Sequence, residues 1–161
     1  MKKTMSLIAV FTAVIISLSA HSGRVFEAAE GYSAPVISLS RGDSVSVSLA
    51  DLKGHHVLLN FWSSLEPESR IAAKAYDVYA SDSRLSLISV NLDPSARLFR
   101  EIVARDALSD STQWHVGGDV ARQISDDYNL ARGLGSFLID PAGRVVAINP
   151  SRAQIESLLA S

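Results

Sequence analysis

Val57 to Trp62 reads VLLNFW, and Leu85 to Val90 reads LSLISV. Short runs this rich in strand formers and free of charge suit strands buried on both faces. Between them lie a small polar loop, Ser63 to Glu66, and then Pro67. Proline fits a first helical position, because it lacks an N–H that would go unpaired there in any case. Ile71, Ala75, Val78 and Tyr79 follow at i, i+4, i+7 and i+8, a helical stripe expected to face inward. Two buried strands joined by a helix predict a right-handed parallel crossover. That unit commits the chain to an α/β architecture with helices on a sheet.

The flanking segments extend the pattern. Val36 to Leu39 and Ser44 to Leu49 alternate as strands around Arg41-Gly42-Asp43, which predicts a hairpin. Asp51-Leu52-Lys53-Gly54 is a turn leading into VLLNFW. Asp93-Pro94-Ser95 opens a helix with Leu98, Phe99, Ile102 and Val103 on one face. Gln113-Trp114-His115 reads as a loop, and Asp119 to Tyr128 as a helix with Val120, Ile124 and Tyr128 inward. Ser136 to Ile139 and Val145 to Ile148 form a returning pair of strands around the turn Pro141-Ala142-Gly143. Pro150 and Ser151 start a last helix with Ile155, Leu158 and Leu159 apolar. The expected fold is a mixed-sheet α/β sandwich with hairpins at both ends.

Composition limits the function classes. The 161 residues are 47% apolar, enough for one ordinary core. The formal net charge of −2, without a basic block, argues against nucleic-acid binding. Lys2 and Lys3 precede an uncharged 16-residue run, Met5 to Ala20, and Ala20-His21-Ser22 offers a small-x-small cleavage site. Residues 1–22 therefore read as a signal peptide, with an uncleaved inner-membrane anchor over residues 5–20 as the alternative. Residues 23–34 are a lead-in segment and 35–161 the folded domain. The expected location is periplasmic, with membrane contact only if the N-terminal segment stays attached. The chain contains no cysteine, which excludes a lipid anchor on cysteine and any disulfide.

Ala34-Pro35-Val36, the stretch Leu49-Ala50-Asp51-Leu52-Lys53-Gly54 leading into Val57-Leu58-Leu59-Asn60-Phe61-Trp62, and Phe137-Leu138-Ile139-Asp140 with Gly143 and Val145-Val146 together resemble the thioredoxin-like proteins of the TlpA/ResA type, exported redoxins related to the AhpC/TSA proteins. The resemblance covers roughly residues 34–160. It implies a thioredoxin-like three-layer sandwich, and it would ordinarily imply thiol–disulfide oxidoreductase activity. The departures fall where that chemistry sits. Matched without gaps, Leu65 takes the position of the family's tryptophan, Glu66 that of the attacking cysteine and Ser69 that of the resolving one. Leu134, in Gly133-Leu134-Gly135-Ser136, takes the position of the family's cis-proline. A cis bond before leucine costs about 2.5–4 kcal/mol, so a trans bond is expected. Thiol exchange and peroxide reduction both need a thiolate, so this chain is expected to perform neither.

What remains at the junction is polar and apolar surface. Glu66 and Glu68 at a helix start read first as capping and dipole compensation, and second as an acid–base pair. Ser69, one turn into the helix and without a Gly-x-Ser-x-Gly setting, reads as polar surface. His55 and His56 are adjacent, so they point to opposite faces at the far end of their strand. His115 reads as a loop residue, and no spacing rule joins it to Glu66 and Glu68 as a metal site. Trp62, Trp114 and Tyr128 read as packing, or as a wall behind the site. No cofactor and no metal is expected. The expected binding surface is Leu65, Glu66, Glu68, Arg70, Leu134 and Gly135, with Arg132 beside it, and the expected partner is a cell-envelope protein or an extended peptide. A non-thiol enzyme built on Glu66, Ser69 and His115, and a structural subunit that docks through its helices, are the alternatives.

Overall fold

The computed structural model describes residues 27–42 and 45–160. The signal peptide or anchor, residues 23–26 of the lead-in, and Asp43 and Ser44 of the first hairpin lie outside the described residues. Strands β1 (Ser38–Arg41) and β2 (Val45–Ser48) form an antiparallel pair. The main sheet has five strands in the order β5-β4-β3-β6-β7. Its centre is β3 (His56–Trp62), parallel to β4 (Leu85–Asn91) with Trp62 opposite Asn91. β5 (Gln113–His115) adds parallel to β4, β6 (Ser136–Ile139) pairs antiparallel with β3, and β7 (Val145–Ile148) closes the hairpin. The helices are α1 (Pro67–Tyr76), α2 (Ala96–Arg105), α3 (Gly118–Asp127) and α4 (Arg152–Leu159). This is a thioredoxin-like α/β fold.

Period-two alternation along β3 divides the core. Val57, Leu59 and Phe61 join Ile88, Val90, Phe137, Ile124 and Tyr128 on one face, beneath α3 and the first hairpin. Leu58 packs with Leu87, Leu138, Tyr79 and Ile155 on the other. Trp62 also points that way and meets Ala73, Ile102 and Val103 between α1 and α2. The lead-in is tied down. Ala28 N–H donates to Asp127 O (2.9 Å), and Gly31 N–H and Tyr32 O both bond Val145, at 2.8 and 2.9 Å. Residues 31–33 thereby shield the outer edge of β7. Ser151 and Gln154 form a reciprocal capping box at the start of α4.

Four expectations need correction. Gln113–His115 is a strand, not a loop: β4 offers a free edge, and Gln113 Oε1 accepts the Trp62 indole N–H at 3.1 Å. β1 begins two residues later than expected and leaves Val36 exposed. Val120 faces solvent, whereas Ile124 and Tyr128 are buried. Most consequential is α1, whose inward residues are Ser69 and Ala73, with Tyr76 half-buried. Ile71 is 69% exposed and Val78 63%, and Ala75 is exposed as well. Two stripes with helical spacing compete on this helix. The small one wins because the Trp62 side chain already fills the space beside Ala73. Tyr79 is buried as expected, in the short turn after α1.

Phe61→Ala should therefore cost about 3–5 kcal/mol, since the fully buried ring packs on Tyr128 and Phe137 at centroid distances of 4.9 and 6.0 Å. Ile71→Ser should change stability by no more than about 0.5 kcal/mol. Urea denaturation of the two variants checks both values, and a large loss for Ile71→Ser would reverse the orientation of α1.

Candidate functional site

The carboxyl ends of parallel strands β3 and β4 lie side by side, which brings Ser63 and Ser64 next to Asp93. Asp93 is fully buried. Ser63 Oγ donates to its Oδ1 at 2.5 Å, Ser64 N–H donates to Oδ1 and Oδ2 at 3.0 and 3.2 Å, and Asn91 Nδ2 donates to Oδ2 at 3.0 Å. Burial is the largest single influence on the carboxyl and raises its pKa. The bonds from Ser63, Asn91 and Ser64 together outweigh it, so the group lies below the usual carboxylate value. His115 Nε2 lies 2.8 Å from the Asp93 carbonyl oxygen. A carbonyl only accepts, so Nε2 carries the proton. The ring also rests on Phe99, with centroids 5.4 Å apart.

The loop then turns into α1 through Ser69. Its Oγ accepts from Ser63 N–H (3.1 Å) and donates to Glu66 O (2.9 Å), and Leu65 N–H donates to Ser63 Oγ (3.1 Å). Ser69 is thus not polar surface. It is 5% exposed, with its hydroxyl committed to the loop. Among the described residues its hydroxyl bonds only backbone groups of Ser63 and Glu66, and His115 Nε2 is committed to the Asp93 carbonyl, so no hydrogen bond joins Glu66, Ser69 and His115 side chains as a triad. Glu66 occupies the N-cap of α1 but makes no side-chain capping bond. Glu66 lines a cleft, and its Oε2 is closed to solvent without a donor among the described residues. The capping reading of Glu66 is therefore corrected. Glu68 lies in the first helical turn, where negative charge is favoured.

Arg70 also departs from expectation. Its Nε and Nη2 grip Asp106 at 2.6 and 2.5 Å, tying α1 to the end of α2. That hydrogen bond raises the guanidinium pKa and holds the Asp106 carboxyl below its usual value. Arg70 is a structural clamp and does not line the cleft.

The opposite wall is the segment before β6. Gly135 O accepts from Phe61 N–H (2.9 Å). Ser136 N–H donates to Asn149 Oδ1 (2.9 Å), and Asn149 N–H returns to Ser136 O (2.7 Å). A Cβ on Gly135 would sit 2.9 Å from that same Oδ1, so only glycine fits without displacing Asn149. The Tyr76 hydroxyl ties α1 to this wall, 2.9 Å from Ser136 Oγ and donating to Pro150 O at 3.2 Å. Between the walls is a cleft of about 490 Å³, lined by Glu66, Glu68, Tyr76, Arg132, Leu134 and Asn149 among others. All peptide bonds among the described residues are trans, including the one before Leu134. The Leu134 N–H and C=O have no hydrogen-bond partner among the described residues.

The cleft brings together Glu66, Glu68, Leu134 and Gly135 of the expected surface, with Arg132. Leu65 stands outside its lining at the loop tip, 76% exposed. His55 and His56 lie at the opposite end of β3. Trp62, Trp114 and Tyr128 are core residues. Sequence reasoning missed Asp93, Tyr76 and Asn149. The available signal for Asp93 was Asn91-x-Asp93, placed straight after a strand parallel to the one that ends in Ser63-Ser64.

The AhpC/TSA family matches residues 31–148 of the chain. Thiol-disulfide oxidoreductase ResA of Bacillus subtilis is 31% identical over 123 residues, covering 74% of this chain and 66% of that protein, just under two thirds of its length. A thioredoxin-like protein from Parabacteroides distasonis superposes with a TM-score of 0.68 at 26% identity, over 84% of this chain and 97% of its own. A putative thiol:disulfide interchange protein DsbE from Chlorobium tepidum gives 0.62 at 25% identity, over 82% and 94%.

Asp93→Ala should cost about 2–4 kcal/mol, because the Ser63, Ser64 and Asn91 donors lose their acceptor together. The native pKa is depressed, so the stability Asp93 contributes is present above the ordinary carboxylate value of about 4 and is lost as pH falls through the lower native value. Asp93→Asn lacks this component. The gap in urea midpoint between the wild type and Asp93→Asn should therefore narrow on acidification, and a gap that widens would contradict the assignment.

Proposed function

The chain belongs to the AhpC/TSA family, and from that premise we propose that it is a cysteine-less binding module of the cell envelope, which holds an extended segment of a partner protein in the cleft between α1 and residues 132–136. With no cysteine in the chain, thiol exchange is closed to it, because a carboxylate at Glu66 or a hydroxyl at Ser69 forms no disulfide. The observation that carries the reading is Leu134. Its N–H and C=O are unpaired among the described residues, on the wall of a preformed cleft, available to add a peptide by strand-like pairing. Export is supported by the basic residues Lys2 and Lys3 ahead of the uncharged run to Ala20. The exposed Ile71, Ala75 and Val78 favour a second reading, a structural subunit that docks through α1 and the turn after it.

A photo-crosslinking residue at Leu65, with a second probe at Ile71, separates the two in intact cells. A discrete adduct from Leu65 that disappears with Leu134→Asp is the expected result. An adduct from Ile71 alone, indifferent to Leu134→Asp, would transfer the function to the outer face of α1.

A further inference from the structure

The two walls of the cleft carry opposite charge and do not neutralise one another. Glu66 and Glu68 stand on the α1 side and Arg132 on the other, and none of the three has an ion pair among the described residues. The cations nearest in sequence to the carboxylates are committed elsewhere: Arg70 to Asp106, and Lys74 Nζ to Ala107 O at 3.3 Å. Glu66 is the more telling of the pair. The N-cap favours a short side chain that accepts a backbone N–H, and Glu66 does not use its carboxylate in that way. One of its oxygens is closed off from water with no donor among the described residues, so the carboxylate is not satisfied within the loop. The free backbone groups of Leu134 complete the cleft.

We propose that this cleft selects an extended segment bearing a lysine or arginine side chain. The inference rests on the binding reading above and names its ligand class. The segment pairs its backbone with Leu134, and its cationic side chain crosses toward α1 to meet Glu66 and Glu68. Arg132 meets a carbonyl or carboxylate on the opposite side and sets the direction of the strand. Both side chains stand at the start of α1, where negative charge is favoured, and no cation of the described residues pairs with them there.

The test is titration of the folded domain with blocked pentapeptides of the form Thr-Val-X-Val-Thr, where X is lysine, norleucine or glutamate, followed by amide chemical shifts at low salt. The lysine peptide should bind about fivefold more tightly than the norleucine peptide, with the glutamate peptide weakest, and all shifts should centre on Leu134. Glu66→Gln with Glu68→Gln should abolish the lysine advantage. These are near-isosteric changes that remove no capping bond, and an unchanged spectrum away from the cleft confirms their fold. Equal affinities for lysine and norleucine, with shifts still at Leu134, would overturn the cation preference and leave the binding face standing. A lysine advantage that survives the double variant would overturn the role of these glutamates. No shift at Leu134 with any peptide would remove both the preference and the binding face.

Discussion

A carboxylate with no access to water holds the loop that follows β3. Asp93 is stable there as an anion because Ser63, Ser64 and Asn91 deliver hydrogen bonds from three directions, and these replace the hydration it loses. The arrangement depends on β3 and β4 running parallel in register to their last residues, Trp62 and Asn91. From it the rest follows. Ser63, fixed by Asp93, receives Ser69 through its N–H. Ser69 then sets the rotational phase of α1, and that phase brings Tyr76 to Ser136 and aims Glu66 and Glu68 at the cleft.

The opposing wall is built as firmly by different means. Asn149 closes a two-bond ring with Ser136, and any residue larger than glycine at 135 would displace its side chain. Both walls are therefore preformed, while the reagent that the family places between them is missing. Retained architecture does not carry retained chemistry, since a reaction belongs to its site and not to its fold. What the scaffold still presents is shape, charge and one unpaired segment of backbone. Those are the components of recognition.

The sheet was legible because its strands announce themselves. VLLNFW, SFLI and VVAI are compact apolar runs with clear turn signals beside them, and burial on both faces leaves few other readings. The outward stripe of α1 misled for an equally physical reason. Ile71, Ala75 and Val78 are more apolar than Ser69 and Ala73, and periodicity cannot show that Trp62 leaves room only for the smaller set. β5 was obscured by its length of three residues. At the site, the residue types at Glu66, Leu134 and Gly135 could be read off the chain. Their support could not, because Asp93 lies 30 positions from Ser63 and meets it only through strand pairing.

Backbone hydrogen exchange at three amides tests the central claim most directly, that a locked loop faces an unpaired backbone segment just before β6. Ser63 and Ser64 donate to buried acceptors, so they should exchange only on opening events that approach global unfolding. Leu134, within the same cleft region, should exchange rapidly because its N–H is unpaired. Fast exchange at Ser63 and Ser64 would contradict the Asp93 lock, and strong protection at Leu134 would show that its N–H is already paired and closed to a partner.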